Sequence, residues 1–70
     1  MSRSQLEQLI KMANQIALNF GENRNPQLAA ERTREHLHKF WTRAMLEELT
    51  SYAAADGEGL SPTVIQSLQL

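Results

Sequence analysis

The stretch LIKMANQIALNF, residues 9–20, repeats apolar residues at the spacing of one helical face. Leu9, Ala13 and Ile16 follow one another at the period of an amphipathic α-helix. Only Lys11 carries a charge within the stretch, although the outer side of such a helix is ordinarily charged. The stretch therefore predicts a helix with one buried side and a second, uncharged side that is suited to another contact.

Signals for helix ends divide the chain into four helical segments, and no segment shows the two-residue alternation of a strand. The start signals are Ser4 with Glu7 three residues later, Asn25-Pro26, Thr42, and Ser61-Pro62. Gly21 is placed to end the first helix, and Gly57 and Gly59 to form the loop after the third. The second and third helices are either separate or continuous, since these signals allow both.

The pattern predicts an all-α fold, a single domain over residues 1–70 built as a small bundle of three to four short helices. The residues expected to form its core are Leu9, Ile10, Ile16, Phe20, Leu37, Leu46 and Leu49. The expected buried side of the second helix consists of Leu28, Ala30, Thr33, Leu37, Phe40 and Trp41. The chain has 70 residues and no cysteine, so helix packing or a partner has to supply its stability.

Charge and hydropathy argue against two classes of partner. The formal net charge is −1, whereas nucleic-acid binding usually needs a basic excess. No segment approaches the ~20 consecutive apolar residues of a membrane span. The N-terminal residues MSRSQLEQ lack the apolar centre of a signal peptide. We expect a cytoplasmic location and no membrane partner, and the charge disfavours a nucleic-acid partner.

The sequence offers no spacing of residues typical of a catalytic or metal site. His36 and His38 are two positions apart, which on a helix separates them by about 200°, so they cannot hold one metal ion together. Both histidines are expected to be exposed to solvent. Glu47 and Glu48 are neighbours on different helix faces rather than a catalytic pair. We therefore expect no cofactor, no metal and no catalysis by this chain alone.

Four basic residues surround the aromatic pair Phe40-Trp41: Arg32, Arg34, Lys39 and Arg43. They form either a patch for an anionic partner or a solvated helix face on which Glu35 pairs with Lys39. The interleaved acidic residues favour the solvated face. Trp41 lies at a helix corner and belongs either to the core or to an interface, where tryptophan is enriched.

A similar choice applies to Met12, Gln15 and Leu18, which lie off the apolar stripe of the first helix. Single apolar residues on a surface are normal. Beside Asn14 and Asn19, and with so little charge nearby, the three residues are more typical of a second contact face.

Three motifs carry a family resemblance: Met12-Ala13-Asn14-Gln15-Ile16, Phe40-Trp41 followed by Met45, and Gly59-Leu60-Ser61-Pro62. They lie within LIKMANQIALNF, HLHKFWTRAM and GEGLSPTVIQSL. In order and spacing these segments resemble the delta subunit of soluble NAD-dependent formate dehydrogenases, over nearly the whole chain. One stretch departs from the family, which usually has an acidic residue, Pro and Arg between the Trp and the Met. Here that stretch is Thr42-Arg43-Ala44.

The resemblance implies a non-catalytic accessory subunit. In the family, catalysis belongs to a large alpha subunit with a molybdenum or tungsten pterin and iron–sulfur clusters. The delta chain is expected to assist maturation, cofactor insertion or stability of that complex, and to bind no cofactor itself. Its expected partner is the large catalytic subunit, with a homodimer as a second form in isolation. The residues expected to bind the partner are Met12, Asn14, Gln15, Phe40, Trp41, Arg43, Leu60, Ser61 and Pro62.

A small helical DNA-binding regulator of the helix-turn-helix type is the alternative function. Its recognition helix needs several Arg, Lys, Asn or Gln residues on one exposed face. Only the second helix approaches this pattern, and its Glu31 and Glu35 would face phosphates. The sequence therefore favours the accessory subunit.

Overall fold

Four helices follow one another along the chain in the computed structural model, which describes residues 3–70, with the side chain of Arg3 outside the description. They are α1 (Arg3–Asn19), α2 (Pro26–Phe40), α3 (Arg43–Ala55) and α4 (Pro62–Gln69). No strand occurs between residues 3 and 70, so the all-α prediction is confirmed. Two residues, Trp41 and Thr42, separate α2 from α3. The second and third helices are therefore distinct.

Three of the predicted helix caps form, each as a hydrogen bond from a backbone N–H to the side chain of the capping residue. Asn25 Oδ1 accepts from the Leu28 N–H at 3.2 Å. Thr42 Oγ1 accepts from the Met45 N–H at 3.1 Å, and Ser61 Oγ accepts from the Val64 N–H at 3.2 Å. Each bond satisfies a backbone donor that has no partner within its helix. Thr42 thus caps α3, although this stretch lacks the acidic residue that is usual in the family that the sequence resembles.

The two ends of α1 differ in how well the sequence predicted them. The described part of α1 begins at Arg3 and Ser4 is already helical, so the helix starts earlier than the predicted start at Ser4. At the other end Gly21 has φ +85°, a conformation that costs glycine little. The Gly21 N–H donates to the Leu18 carbonyl at 3.0 Å, and the Glu22 N–H donates to the Ala17 carbonyl at 3.2 Å. This is the Schellman arrangement, and it turns the chain toward α2.

The core combines a few large side chains with small ones. Its buried hydrophobic residues are Leu9, Ala13, Ala17, Ala29, Ala30, Leu37, Trp41, Leu49, Leu60 and Val64. The core predictions for Leu9, Leu37 and Leu49 are confirmed. The predicted core residues Ile10, Ile16 and Leu46 are partly buried and pack against this cluster. Alanines on both α1 and α2 allow close packing of helix surfaces, since a methyl group fills little space between them.

Three aromatic or aliphatic residues predicted to be buried are instead exposed. Phe20 is 40% exposed, Leu28 42% and Phe40 65%. Their positions fit the apolar period, but neighbouring residues occupy the interior in place of Leu28 and Phe40. Ala29 is fully buried next to Leu28, and Trp41 enters the core next to Phe40. Periodicity locates the apolar side of a helix, whereas packing selects which of its residues reach the interior.

The last helix completes the core by lying against α2, with which it makes the most extensive contact between any two helices of residues 3–70. Val64 and Ser67 are buried on α4, and the Ser67 hydroxyl donates to the Val64 carbonyl at 2.7 Å. The radius of gyration is 10.9 Å, close to the ~11 Å expected for one folded unit of this length. All four helices therefore share one core.

Replacing Leu37 by alanine tests the core. Leu37 is 1% exposed, so Leu37→Ala should lower the free energy of unfolding by about 2–4 kcal/mol. Leu28→Ala is the matched control, because it makes the same change on the same helix at an exposed residue and should cost well under ~1 kcal/mol. Urea denaturation followed by circular dichroism measures both. Equal effects at the two positions would contradict this description of the core.

Thr33 gives an independent test, because its side chain is fully buried and its Oγ1 has no hydrogen-bond partner. A buried hydroxyl without a partner costs about 1–3 kcal/mol. Thr33→Val keeps the branched shape and removes the hydroxyl, so it should raise the free energy of unfolding by about 1 kcal/mol. The same change at exposed Thr50 is the control and should have little effect. A destabilised Thr33→Val protein would show that the hydroxyl has a partner.

Candidate partner-binding surfaces

The side chain of Asn14 joins α1 to the turn that precedes α4. Its Nδ2 donates to the Gly59 carbonyl at 2.7 Å. Its Oδ1 accepts from the Ser61 N–H at 2.9 Å. One amide thus satisfies a backbone acceptor and a backbone donor of the same turn, which a carboxylate or a hydrophobic side chain cannot do. Two predicted partner-binding residues, Asn14 and Ser61, are therefore brought together by a contact within the chain.

The turn itself is shaped by two glycines and one tyrosine. Gly57 has φ +75° and Gly59 has φ +88°, in the region that favours glycine. The Tyr52 hydroxyl donates to the Glu58 carbonyl at 2.6 Å. This geometry directs Leu60 into the core, where only 8% of its surface is exposed. Leu60, also predicted to bind the partner, thus has a packing role inside the domain.

An open groove of about 600 Å³ runs between α1 and this turn. Besides the turn, its walls include Lys11, Gln15, Leu18 and Glu22. Glu22 Oε1 is buried and accepts no hydrogen bond from the described residues. The next predicted residue along the chain, Pro62, is exposed at the first position of α4. The groove therefore collects four of the predicted residues, namely Asn14, Gln15, Leu60 and Ser61.

Met12 lies on a different side of α1 from Asn14. Two positions along a helix separate side chains by about 200°, so the two residues cannot share one flat contact surface. Met12 is 43% exposed. Around the helix axis, the side chain of Gln15 points between those of Met12 and Asn14. Its Nε2 donates to Asn19 Oδ1 at 3.1 Å, and both of these residues are exposed. The predicted residues of α1 thus divide between the groove and the outer side of the helix.

The corner between α2 and α3 separates the next predicted residues in the same way. Trp41 belongs to the buried core, whereas its neighbour Phe40 is the most exposed of the large hydrophobic residues in the described chain. The backbone of Trp41 is extended, with φ −91° and ψ 149°. Arg43 is exposed and its Nε lies 3.1 Å from Glu47 Oε2. Such an exposed i,i+4 pair contributes only about 0.3–0.5 kcal/mol, so a partner could compete for Arg43 at little cost.

An aromatic cluster beside this corner was not predicted. The ring centroids of Phe20 and His36 are 6.0 Å apart, and those of His36 and Phe40 are 4.7 Å apart. His36 is half-buried between the two phenylalanines, so the prediction that both histidines are exposed holds only for His38. The spacing of His36 and Phe40 by one helical turn could have suggested their contact. The contribution of Phe20 could not, because it depends on how α1 and α2 pack.

The basic residues of α2 are not paired as the sequence suggested. Within the described part of the chain, no ion pair joins Glu35 to Lys39. Lys39 Nζ instead lies 5.7 Å from the centre of the Phe40 ring, within the ~6 Å range of a cation–π contact. Arg34 Nε donates to the carbonyl of Leu70 at 3.3 Å. Lys39 therefore contacts an aromatic ring, and Arg34 contacts a backbone carbonyl.

The residues between 3 and 70 contain no group of three or more His, Asp or Glu side chains placed to hold a metal ion. In the same range, none of the helices has the length and hydropathy needed to cross a bilayer. The polar side chains described above serve helix caps, the Asn14 contact and surface pairs.

Taken with the four-helix fold, these surfaces define a small helical domain with several exposed apolar side chains. The family model of the NADH-dependent formate dehydrogenase delta subunit, FdsD, matches residues 8–68. This match covers most of the 70 residues, so the chain belongs to the formate dehydrogenase delta-subunit family, and the resemblance found in the sequence is confirmed. Comparisons with curated proteins and with solved structures gave no significant match.

Asn14→Ala tests the contact between α1 and the turn. It removes both hydrogen bonds and leaves the Gly59 carbonyl and the Ser61 N–H without their partner, so the free energy of unfolding should fall by about 1–3 kcal/mol. Asn14→Asp keeps the acceptor for Ser61 but sets a carboxylate oxygen against the Gly59 carbonyl oxygen, so it should also destabilise the fold although it has the same size as Asn.

Asn19→Ala is the control for that series, because Asn19 is exposed on the same helix and bonds only to Gln15 among the described contacts. Thermal unfolding and amide hydrogen exchange of residues 59–64 measure the effects. If Asn14→Ala left the exchange rates of the turn unchanged, the amide would not hold α4 in place.

Proposed function

We propose that the chain is a non-catalytic accessory subunit of an NAD-dependent formate dehydrogenase. It assists maturation, cofactor insertion or stability of the complex by contacting the large catalytic subunit, which holds the molybdenum or tungsten pterin. The observation that carries this proposal is the family match over residues 8–68. A member of that family is one component of an enzyme with several subunits.

The distribution of exposed apolar side chains supports action through protein contacts. Met12, Phe20 and Phe40 are each at least 40% exposed, and the rings of Phe20 and Phe40 both contact His36. Single exposed apolar residues are common, but grouped ones mark interaction sites. The outer side of α1 adds Gln15 and Asn19, whose uncharged amides can bond to a partner without the cost of desolvating a charge. These features suit an interface better than a substrate site.

The DNA-binding alternative gains no support from the arrangement of α2. Lys39 contacts the Phe40 ring and Arg34 contacts the Leu70 carbonyl, so two of the basic residues already have partners in the chain. A recognition helix instead presents free basic and amide side chains along one face. The family match also favours the subunit.

The outer side of α1 can be tested with Met12→Glu together with Gln15→Lys. The pair places opposite charges on this side without changing the net charge, and both residues are exposed, so helicity and melting temperature should stay nearly constant. Co-purification with the large dehydrogenase subunit should be lost, since charges buried at an interface carry a large desolvation cost. The metal-loaded fraction of the complex should fall with it.

The matched control is Gln66→Lys with Gln69→Glu, which makes the same change in charge on exposed positions of α4. This control should co-purify like the wild-type chain. The measurements are the subunit ratio after affinity purification and the metal content of the complex. If the wild-type chain itself failed to co-purify with the dehydrogenase, the proposed function would be wrong. If the wild-type chain and the α1 variant both co-purified with the dehydrogenase, the error would lie in the choice of surface.

A further inference from the structure

We infer that the cluster of Phe20, His36 and Phe40, here called the aromatic ridge, is a docking surface for an apolar, acidic-edged site on the large dehydrogenase subunit. The inference rests on the proposed function and adds a surface and a partner chemistry to it. Phe20 was expected in the core and His36 in solvent. The structure instead places their rings in contact on the outside of α1 and α2.

The ridge exposes apolar surface that the domain does not use. Phe40 is 65% exposed and Phe20 40% exposed, which at ~150–250 Å² for each aromatic side chain amounts to on the order of 200 Å². Met12 and Ile16 extend this surface along α1, since Met12, Ile16 and Phe20 follow one another at intervals of one helical turn. Aromatic side chains that are held by their neighbours but open to solvent are typical anchors of protein interfaces.

The rings are also held in place before a partner arrives. His36 contacts Phe20 at 6.0 Å and Phe40 at 4.7 Å between centroids, and Lys39 Nζ lies over the Phe40 ring at 5.7 Å. Contacts of this kind restrict the side-chain rotamers. Binding then loses less conformational entropy than it would with free side chains.

The charges beside the ridge select the kind of partner. Arg32, Glu35 and Lys39 line a surface depression together with Phe20 and His36. Two cations and one carboxylate make this surface locally positive, although the whole chain has a net charge of −1. Complementary potential requires an acidic border on the partner. A second copy of this chain does not provide an acidic border, because a two-fold contact would bring the basic edges of the two copies together.

The experiment uses the purified dehydrogenase complex that lacks this chain and measures its affinity for the added chain. The ridge variant is Phe20→Ala with Phe40→Ala, which should weaken binding by about tenfold or more. The control is Leu18→Ala with Leu28→Ala, which also removes two large exposed apolar side chains, but outside the ridge. The control should bind within about twofold of the wild-type chain. Circular dichroism shows whether both variants keep their helices.

The charge contribution is tested with Arg32→Glu plus Lys39→Glu, against Lys11→Glu plus Arg24→Glu as a control with the same change in net charge. Only the first pair should weaken binding, and it should reduce the salt dependence of the affinity, because exposed charges are screened by salt. If the ridge variant failed to fold, Phe40→Ala alone, at the more exposed position, would replace it.

The possible outcomes separate this inference from the proposed function. A wild-type chain that does not bind the dehydrogenase complex overturns the proposed function and the inference with it. A wild-type chain that binds, with ridge and charge variants that bind equally well, overturns the inference alone. If the ridge variant binds the complex normally but shifts the chain from dimer to monomer in sedimentation, the ridge is a self-association surface and the inference is wrong.

Discussion

The two hydrogen bonds of the Asn14 side chain determine where the last helix lies. Helix α4 has eight residues, too few for an isolated helix to be stable in water. It depends on the preceding turn, in which Gly59 has φ +88° and Leu60 enters the core. Asn14 supplies an acceptor to the Ser61 N–H and a donor to the Gly59 carbonyl from the rigid middle of α1. Asn14 thus holds the turn from which α4 extends along α2, its most extensive helix contact.

Small residues in the interior help to explain why aromatic rings remain outside. Ala13 and Ala17 on α1 and Ala29 and Ala30 on α2 are fully buried, so methyl groups fill part of the interior of the domain. A core packed at crystal-like density has no room for an additional phenyl ring. Phe20 therefore packs against His36 at the border, and Phe40 extends the same surface. The packing that stabilises the domain also creates the exposed surface for which we propose a partner.

The accuracy of sequence-based prediction followed the range of the interactions involved. The caps at Asn25, Thr42 and Ser61 were predictable because each bond joins residues three positions apart. The Asn14 contact spans 45 positions to Gly59, and nothing local distinguishes this asparagine from an exposed one. Phe40 was assigned to the wrong environment because the period alone does not decide which of two neighbouring apolar residues, Phe40 or Trp41, points into the core. The family, by contrast, was identifiable from three short motifs, because a family resemblance needs only the order and spacing of residues and no knowledge of how the helices pack.

The two sides of the domain differ in how much of their polar chemistry is already satisfied. On the groove side, Asn14 bonds twice to the turn, and Tyr52 and Ser61 bond to backbone groups of the same region. A partner that used those groups would have to break bonds that position α4. On the ridge side, the contacts are ring contacts and a cation over a ring, which stay intact when another apolar surface covers them. Binding there adds burial without removing internal hydrogen bonds.

A partner that binds only the folded chain also stabilises it by mass action, about 2.7 kcal/mol at a partner concentration of ~100 Kd. For a domain of 70 residues without disulfides, that amount is a large fraction of the usual total. The ridge is therefore the side on which partner binding and stability of the fold can increase together.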